Sequence, residues 1–285
     1  MVINLRKLMI GGIVLIIVII GIFTASAGHY SNNSDSTIIT YGETTFNNQQ
    51  YRSVVDDYFV SQSNVNLNDV KNEIITANEV NAISQGISHR TYNSNQIFSS
   101  ALVDLARSNN LEINVDHSKI TLVTEQMYAS ALESAGINQG YVVVTSPVSA
   151  TGESALAGVM NCYEQATNTT MPQEVKQAAN NQIYVESEVI SNSNESADSI
   201  SDLVDEVKDE VNETNTTDIQ TIIDILTQTA KENNINLSEA DIQKLAESIS
   251  QSQSVQGQAQ AYSQQISKSI SDVAGSFSLE SLFNF

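Results

Sequence analysis

The hydrophobic positions of this chain open as one unbroken run, continue as short β-branched runs mixed with helical spacings, and end as long helical stripes. Leu8 to Phe23 carries no charge; Arg6 and Lys7 precede it and Ala25-Ser26-Ala27 follows it. A basic start, an apolar stretch and an A-x-A tail form the layout of a secretory signal peptide. Leu8 to Ala27 also reaches about 20 residues, the length of an uncleaved membrane anchor. Either way, positive charges on the N-terminal side place the rest of the chain outside the cytoplasm. Residues 28–37 are small and polar and read as a flexible spacer.

Between 38 and 167 the periods alternate. Ile38 to Tyr41 is β-branched and stops at Gly42, a strand and a turn. Tyr51, Val54, Val55, Tyr58 and Phe59 recur at helical spacing, so the pattern predicts a helix over 46–60. Residues 73–77 read as a second strand. Residues 97–105 fit helix or strand by periodicity alone. Leu111, Ile113 and Val115 alternate with polar residues, and with Ile120, Leu122 and Val123 the stretch reads as β. Thr124 is a good N-cap, with Glu125 in the first turn and Gly136 just past the end of the predicted helix. Tyr141 to Thr145 is a buried-strand pattern. Pro147 stops it, 149–152 form a small-residue loop, and Leu156, Val159, Met160 and Tyr163 mark the next helix.

From Pro172 the spacing is helical. Residues 174–189 predict a helix, with a short strand over 183–185 as the alternative. Ile200, Leu203, Val204, Val207 and Val211 form one stripe; Ile219, Ile222, Ile223, Leu226 and Ala230 form another. Ser238 with Asp241 opens a third helix in the manner of a capping box, its face carried by Ile242, Leu245 and Ile249. Residues 250–285 are rich in Ser and Gln. Yet Val255, Ala259, Tyr262, Ile266, Ile270, Val273 and Phe277 trace a helical seam, weakened at Gly257 and Gly275. Leu279, Leu282, Phe283 and Phe285 end the chain as an apolar patch that either docks on the protein's own core or seeks a partner. The sequence therefore predicts an α/β or α+β domain with a small mixed sheet over 38–167, a helical domain over 168–249 and an amphipathic helical tail over 250–285.

Composition narrows the partners. The 285 residues hold 12 Lys and Arg against 33 Asp and Glu, a net charge of −21. Arg6 and Lys7 are the only basic residues of the first 27 positions, so the remainder is still more acidic. Such a balance argues against nucleic acid, whose phosphates need clustered Lys and Arg, and confines membrane contact to the N-terminal segment. The single cysteine excludes an intrachain disulfide.

The runs TEQMYASALESAGI and YVVVTSPVSATGESALAGVMNCYEQAT resemble the domain of unknown function 1002 family of bacterial and archaeal proteins. Met127, Tyr128, Ala129, Ala131, Leu132, Ala135 and Gly136 match the first part of the family pattern. Pro147, Val148, Ser149, Ala155, Leu156, Gly158 and Glu164 match the second. The resemblance runs from about Ile38 to Ile249. Two departures stand out. Ala150 replaces a usual glycine, with Gly152 two positions on, and Phe46-Asn47-Asn48 replaces a T-P-E helix start. The resemblance implies export, implies no particular reaction, and favours β for 97–105.

The candidate ligand-binding residues are Ser146, Ser149, Thr151, Gly152 and Ser154, because ligands of open α/β sheets sit where a strand hands over to a helix N-terminus. The loop has neither the P-loop nor the G-x-S-x-G pattern. His29, His89 and His117 are the available imidazoles, and His117 beside Asp116 reads as a solvated turn. Cys162 reads as a small buried thiol. No metal-ligand spacing and no cofactor motif is present. Asp198, Asp202, Asp205, Glu206, Asp209, Glu210 and Glu213 read as a solvated helix face. Asn32, Asn168, Asn194, Asn212, Asn215 and Asn236 are N-x-Ser/Thr glycosylation candidates. The expectation is an exported protein, secreted or anchored by residues 8–27, that binds an extracellular ligand or envelope component and is more a binding module than an enzyme. The alternatives are an extracellular hydrolase using 146–154 and a unit that self-associates through 250–285. An enzyme should bring His89, His117 or two carboxylates to the loop; an assembly unit should expose the seam.

Overall fold

The computed structural model describes residues 36–84, 91–107 and 110–283, with side chains to Ser271. The leader, most of the spacer, His29, Asn32 and His89 lie outside the described residues, as do the side chains of Val273, Phe277 and the terminal apolar patch.

Five strands form one mixed sheet: β1 (Thr37–Gly42), β2 (Lys71–Ile75), β3 (Ser100–Asp104), β4 (Leu111–Val115) and β5 (Gly140–Thr145), in the order β2-β1-β3-β5-β4. β1 runs parallel to β2 and β4 parallel to β5, while β3 is antiparallel to both of its neighbours. Each parallel pair needs a crossover, supplied by the short α1 (Glu43–Phe46) and α2 (Gln49–Ser63) in the first and by α4 (Glu125–Ser134) in the second. The interior strands β1 and β5 are buried along their whole length, whereas the edge strands β2 and β4 are partly solvated and carry Lys71 and Glu112. Charged, short edges resist pairing with another sheet.

Alternation along the strands separates two cores. Ile39, Tyr41, Leu102, Tyr141 and Val143 face Val55 and Phe59 of α2. Ile38, Ala101, Val103, Val142 and Val144 face the opposite side, where α4 and α5 (Ala155–Thr167) pack. Cys162 lies on that side with its sulfur 3.6 Å from the Ile38 carbonyl, fully buried, and burial pushes its thiol up to about 12.

The helical remainder is α6 (Gln173–Asn192), α7 (Ala197–Thr214), α8 (Ile219–Glu232) and α9 (Glu239–Phe283). All five residues of the stripe from Ile200 to Val211 are buried with Ile222, Leu226, Leu245 and Ile249 in a third cluster. α6 and α9 belong to two cores at once. α6 gives Val175 and Ile183 to the sheet core and Val189 to the helical cluster; α9 gives Leu245 and Ile249 to the helical cluster and Val255, Ala259, Tyr262, Ile266 and Ile270 to the sheet core. α9 crosses position 250 without a break and passes Gly257, which faces open space. The seam from Val255 to Ile270 is thus covered by the protein's own helices, chiefly α6 with α4 and α5. Among the described residues no helix is long and apolar enough to cross a membrane.

The expected fold class is the observed one, with local shifts. The first long helix begins at Gln49, not 46, because the Asn48 side chain accepts the backbone N–H groups of Gln50 and Tyr51. The second strand ends at Ile75, because Thr76 and Glu79 close a capping box that starts α3 (Ala77–Ile83). Residues 100–104 are strand, as the family resemblance implies. Residues 183–185 are helical, inside α6. Beyond β4 only Ile120 keeps a β-bridge, to Ala150, so 120–123 is not a strand. Thr121 and Val123 instead donate to the carbonyls of Ala150 and Thr151.

Candidate functional site

The loop after β5 is fastened to the segment after β4. The backbone N–H of Ala150 donates to Lys119, and the returning bonds from Thr121 and Val123 close the pair. Ser146 is fully buried and its hydroxyl has no hydrogen-bond partner, whereas Ser149 and Thr151 are exposed. The Thr151 hydroxyl donates to the buried carboxylate of Glu153. Ser154 precedes α5 with no side-chain cap bond. Gly152 has φ +109°, and a Cβ there would stand 2.8 Å from Ile120 and 2.9 Å from the Tyr128 hydroxyl. Tyr128, fully buried, donates to the Gly152 carbonyl at 2.5 Å. This glycine is therefore required by conformation and by close packing together.

His117 does not turn to this loop. Its Nε2 lies 2.9 Å from both carboxylate oxygens of Glu125. Asp116, its neighbour, is buried and accepts from Thr145 at 2.6 Å and from Ser118, fixing the turn at the end of β4. Among the described residues no three His, Cys, Asp or Glu side chains are grouped to hold a metal ion.

The sequon asparagines sit mostly at helix ends. Asn168 and Asn215 are the left-handed C-cap residues of α5 and α7, a conformation asparagine tolerates well. Asn194, Asn212 and Asn236 are exposed, and the Asn212 side chain accepts from Gln256 at 2.8 Å.

A second polar constellation lies where α4, α6 and α7 meet, and of its members the sequence singles out only Asp205, as part of a solvated helix face. Lys208 of α7 donates to the Ser130 carbonyl at 3.0 Å and to its hydroxyl at 2.7 Å. Gln182 of α6 donates to the same hydroxyl at 2.7 Å and to Glu186 at 2.9 Å. The Ser130 hydroxyl in turn donates to Asp205. Ser134 donates to Gln182 at 3.1 Å. Glu186 is almost completely buried, and burial pushes its carboxyl up to about 8 against the opposing hydrogen bond of Gln182 and the charge of Lys208. Burial likewise lowers Lys208, opposed by the charges of Asp205 and Glu186. A carboxyl and an ammonium in one dry cluster each shift toward neutrality.

This cluster borders a groove of about 440 Å³ between α4, α7 and α9, a size suited to a small ligand. Glu133, Ser134 and Asn138 line it from α4 and the turn after it; Asp205, Lys208, Asp209 and Asn212 from α7; Ser252, Gln253, Gln256 and Gln260 from α9. Gly136, with φ +82°, lets α9 come close: a Cβ there would stand 2.2 Å from the Ala259 carbonyl. Ser252 is 8 % exposed and its hydroxyl has no partner. None of the five loop residues from Ser146 to Ser154 lines this groove.

The sequence carried one overlooked signal for the constellation. Gln182 and Glu186 fall on the inward face of α6 among Val175, Ala178, Ala179 and Val189, so polar side chains stand at apolar stripe positions. Ser252 left no comparable mark, because Ser and Gln fill the whole surrounding segment.

The family described as protein of unknown function (DUF1002) matches residues 41–269, and the chain belongs to it. The chain is also similar to the uncharacterized protein YpuA of Bacillus subtilis (strain 168), at 32 % identity over 127 residues. That match covers 44 % of this chain and 41 % of YpuA, so it spans about two fifths of the relative's length. No solved structure matches.

Proposed function

We propose that this protein is an extracytoplasmic binding module, exported by its leader, whose site is the groove between α4, α7 and α9. The basic residues Arg6 and Lys7 ahead of the apolar run and the A-x-A tail support export. The observation that carries the binding role is the groove itself, about 440 Å³ in volume and lined by carboxamides and carboxylates drawn from three helices. The loop from Ser146 to Ser154 then serves as structure, anchoring α5 and Tyr128.

The test uses the full chain in a thermal-shift screen against amines, amino acids, short peptides and oligosaccharides. At least one compound should raise the melting temperature of the wild type and leave Gln256→Trp, which fills the groove, unshifted. A panel with no shift, or equal shifts in both proteins, overturns the groove as the site. Cell fractionation of the full chain tests export separately: cytosolic protein overturns that half of the reading.

A further inference from the structure

We propose that the contact between α4 and α7 is a proton-held clasp: with a proton on Glu186 the two helices stay together, and loss of that proton lets α7 move off α4 and widen the groove. The clasp follows from how the cores divide. Met127, Tyr128, Ala131 and Leu132 of α4 belong to the sheet core, whereas the α7 stripe from Ile200 to Val211 belongs to the helical cluster. Neither helix contributes to the other's cluster, so what joins them is polar. Besides the bonds of Ser130 to Lys208 and Asp205, Gln126 donates to Asp202 at 2.8 Å and to Asp205 at 3.2 Å. Such bonds exchange for bonds to water at little net cost, unlike apolar contacts.

Glu186 of α6 lies beneath this contact. It is bonded to Gln182, which reaches Ser130 of α4, and to Ser201 of α7 at 3.5 Å. Both partners are neutral, and among the described residues Glu186 makes no ion pair. A dry junction of this kind accommodates the acid better than its anion. Lys208 and Asp205 of α7 act on it in opposite senses. Asp205, Glu133 and Asp209 also act on Lys208, so an ionised Glu186 adds a fourth carboxylate to one ammonium. The charges on other helices packed against α6 are engaged elsewhere: Glu164 of α5 with Lys176, Lys244 of α9 with Glu188, and Glu79 of α3 with Thr76. Water reaches the Glu186 anion where the polar contact parts. The closed junction, chiefly through burial, holds its carboxyl up to about 8, while the open one lets it return toward 4.5. Between those values the ratio of open to closed rises with pH, by up to about tenfold per unit. Lys208, lowered by burial, acts in the opposite sense as pH approaches its ordinary 10.5.

Spin-label distances in the full chain test this. Cys162 is fully buried, so labels go on introduced cysteines: Ala129→Cys of α4 with Glu210→Cys of α7, and as a reference Glu210→Cys with Gln228→Cys of α8. From about pH 5.5 to about pH 8.5 the α4–α7 pair should gain a longer distance while the α7–α8 pair keeps one distance. Glu186→Gln, neutral throughout, should remove the response. Gln126→Ala, which lacks the bonds to Asp202 and Asp205, should raise the long-distance fraction at every pH and keep the response, and it serves if Glu186→Gln does not fold. A wild-type α4–α7 distance indifferent to pH, an unaltered response in Glu186→Gln, or a Gln126→Ala fraction equal to wild type overturns the clasp. So does equal widening of both pairs, which marks general unfolding.

Discussion

Lys208 and Ser130 are joined twice across the α4–α7 interface: the ammonium lies 2.7 Å from the hydroxyl oxygen and 3.0 Å from the carbonyl oxygen of the same residue. With Gln182 donating to that hydroxyl and the hydroxyl donating to Asp205, Ser130 uses its one proton and both lone pairs. A closed network of this kind is worth more intact than partly dismantled. Lys208→Ala should therefore destabilise the protein by about 1–3 kcal/mol, the cost of leaving buried partners unsatisfied. Urea unfolding measures it, and an unchanged midpoint would show that the network contributes nothing to holding α7 on α4.

Glu186 gives the network a pH dependence. Its folded carboxyl keeps a proton up to about pH 8, whereas its ordinary value is 4.5. Between those values the folded state binds more protons than the unfolded state, so this group's contribution falls as pH rises. The effect approaches about 1.4 kcal/mol per pH unit within the window. Glu186→Gln removes it, since the amide is neutral throughout. The variant should gain on the wild type steadily from pH 5 to pH 8, with little further change above. A constant gap between the two midpoints across that range would refute the assignment.

Gly152 and Tyr128 form a single contact at the head of α5. Gly152→Ala places a Cβ 2.9 Å from the Tyr128 hydroxyl and forces a left-handed residue besides, so a loss above about 1 kcal/mol is expected. Tyr128→Phe removes the hydrogen bond to the Gly152 carbonyl, which still accepts from Ala155, and should cost about 1 kcal/mol. Because the two changes act on one contact, the double variant should lose less than the sum. Strict additivity in thermal unfolding would separate them.

The architecture was legible where the hydrophobic period was long and uninterrupted. The Val-rich run before Thr145 could only be a buried strand, and Ile200 to Val211 could only be a helix with one wet face. Boundaries shifted where a polar side chain decided them, at Asn48 and at Thr76, since a cap is a local choice among several eligible residues. Sheet order did not follow from the sequence, because β3 sits between two parallel pairs that periodicity cannot rank. The groove was harder still. Its walls come from three separate helices, the first and last of them more than a hundred residues apart, and Asp205 reads as one acid among many until Ser130 is set beside it.

The seam of α9 gives the last prediction. Tyr262, Ile266 and Ile270 are buried against the sheet core, although the segment around them is mostly Ser, Gln and Ala. Burial here replaces a self-made core: α9 lies along α6 and touches α4 and α5, the helices that cover the sheet face. Ile266→Ala should cost about 2–5 kcal/mol, the range for truncating a large aliphatic side chain in a packed interior. Gln265→Ala, one position away on the exposed side, should change stability by less than about 0.5 kcal/mol. Ending the chain at residue 250 removes all five seam residues from Val255 to Ile270 and leaves their sheet-core partners open to water. That shortened chain should lose its cooperative thermal transition and bind a hydrophobic dye, whereas the full chain should do neither. A sharp transition in the shortened chain at the full chain's melting temperature would mean that α9 rests on the domain without completing its core.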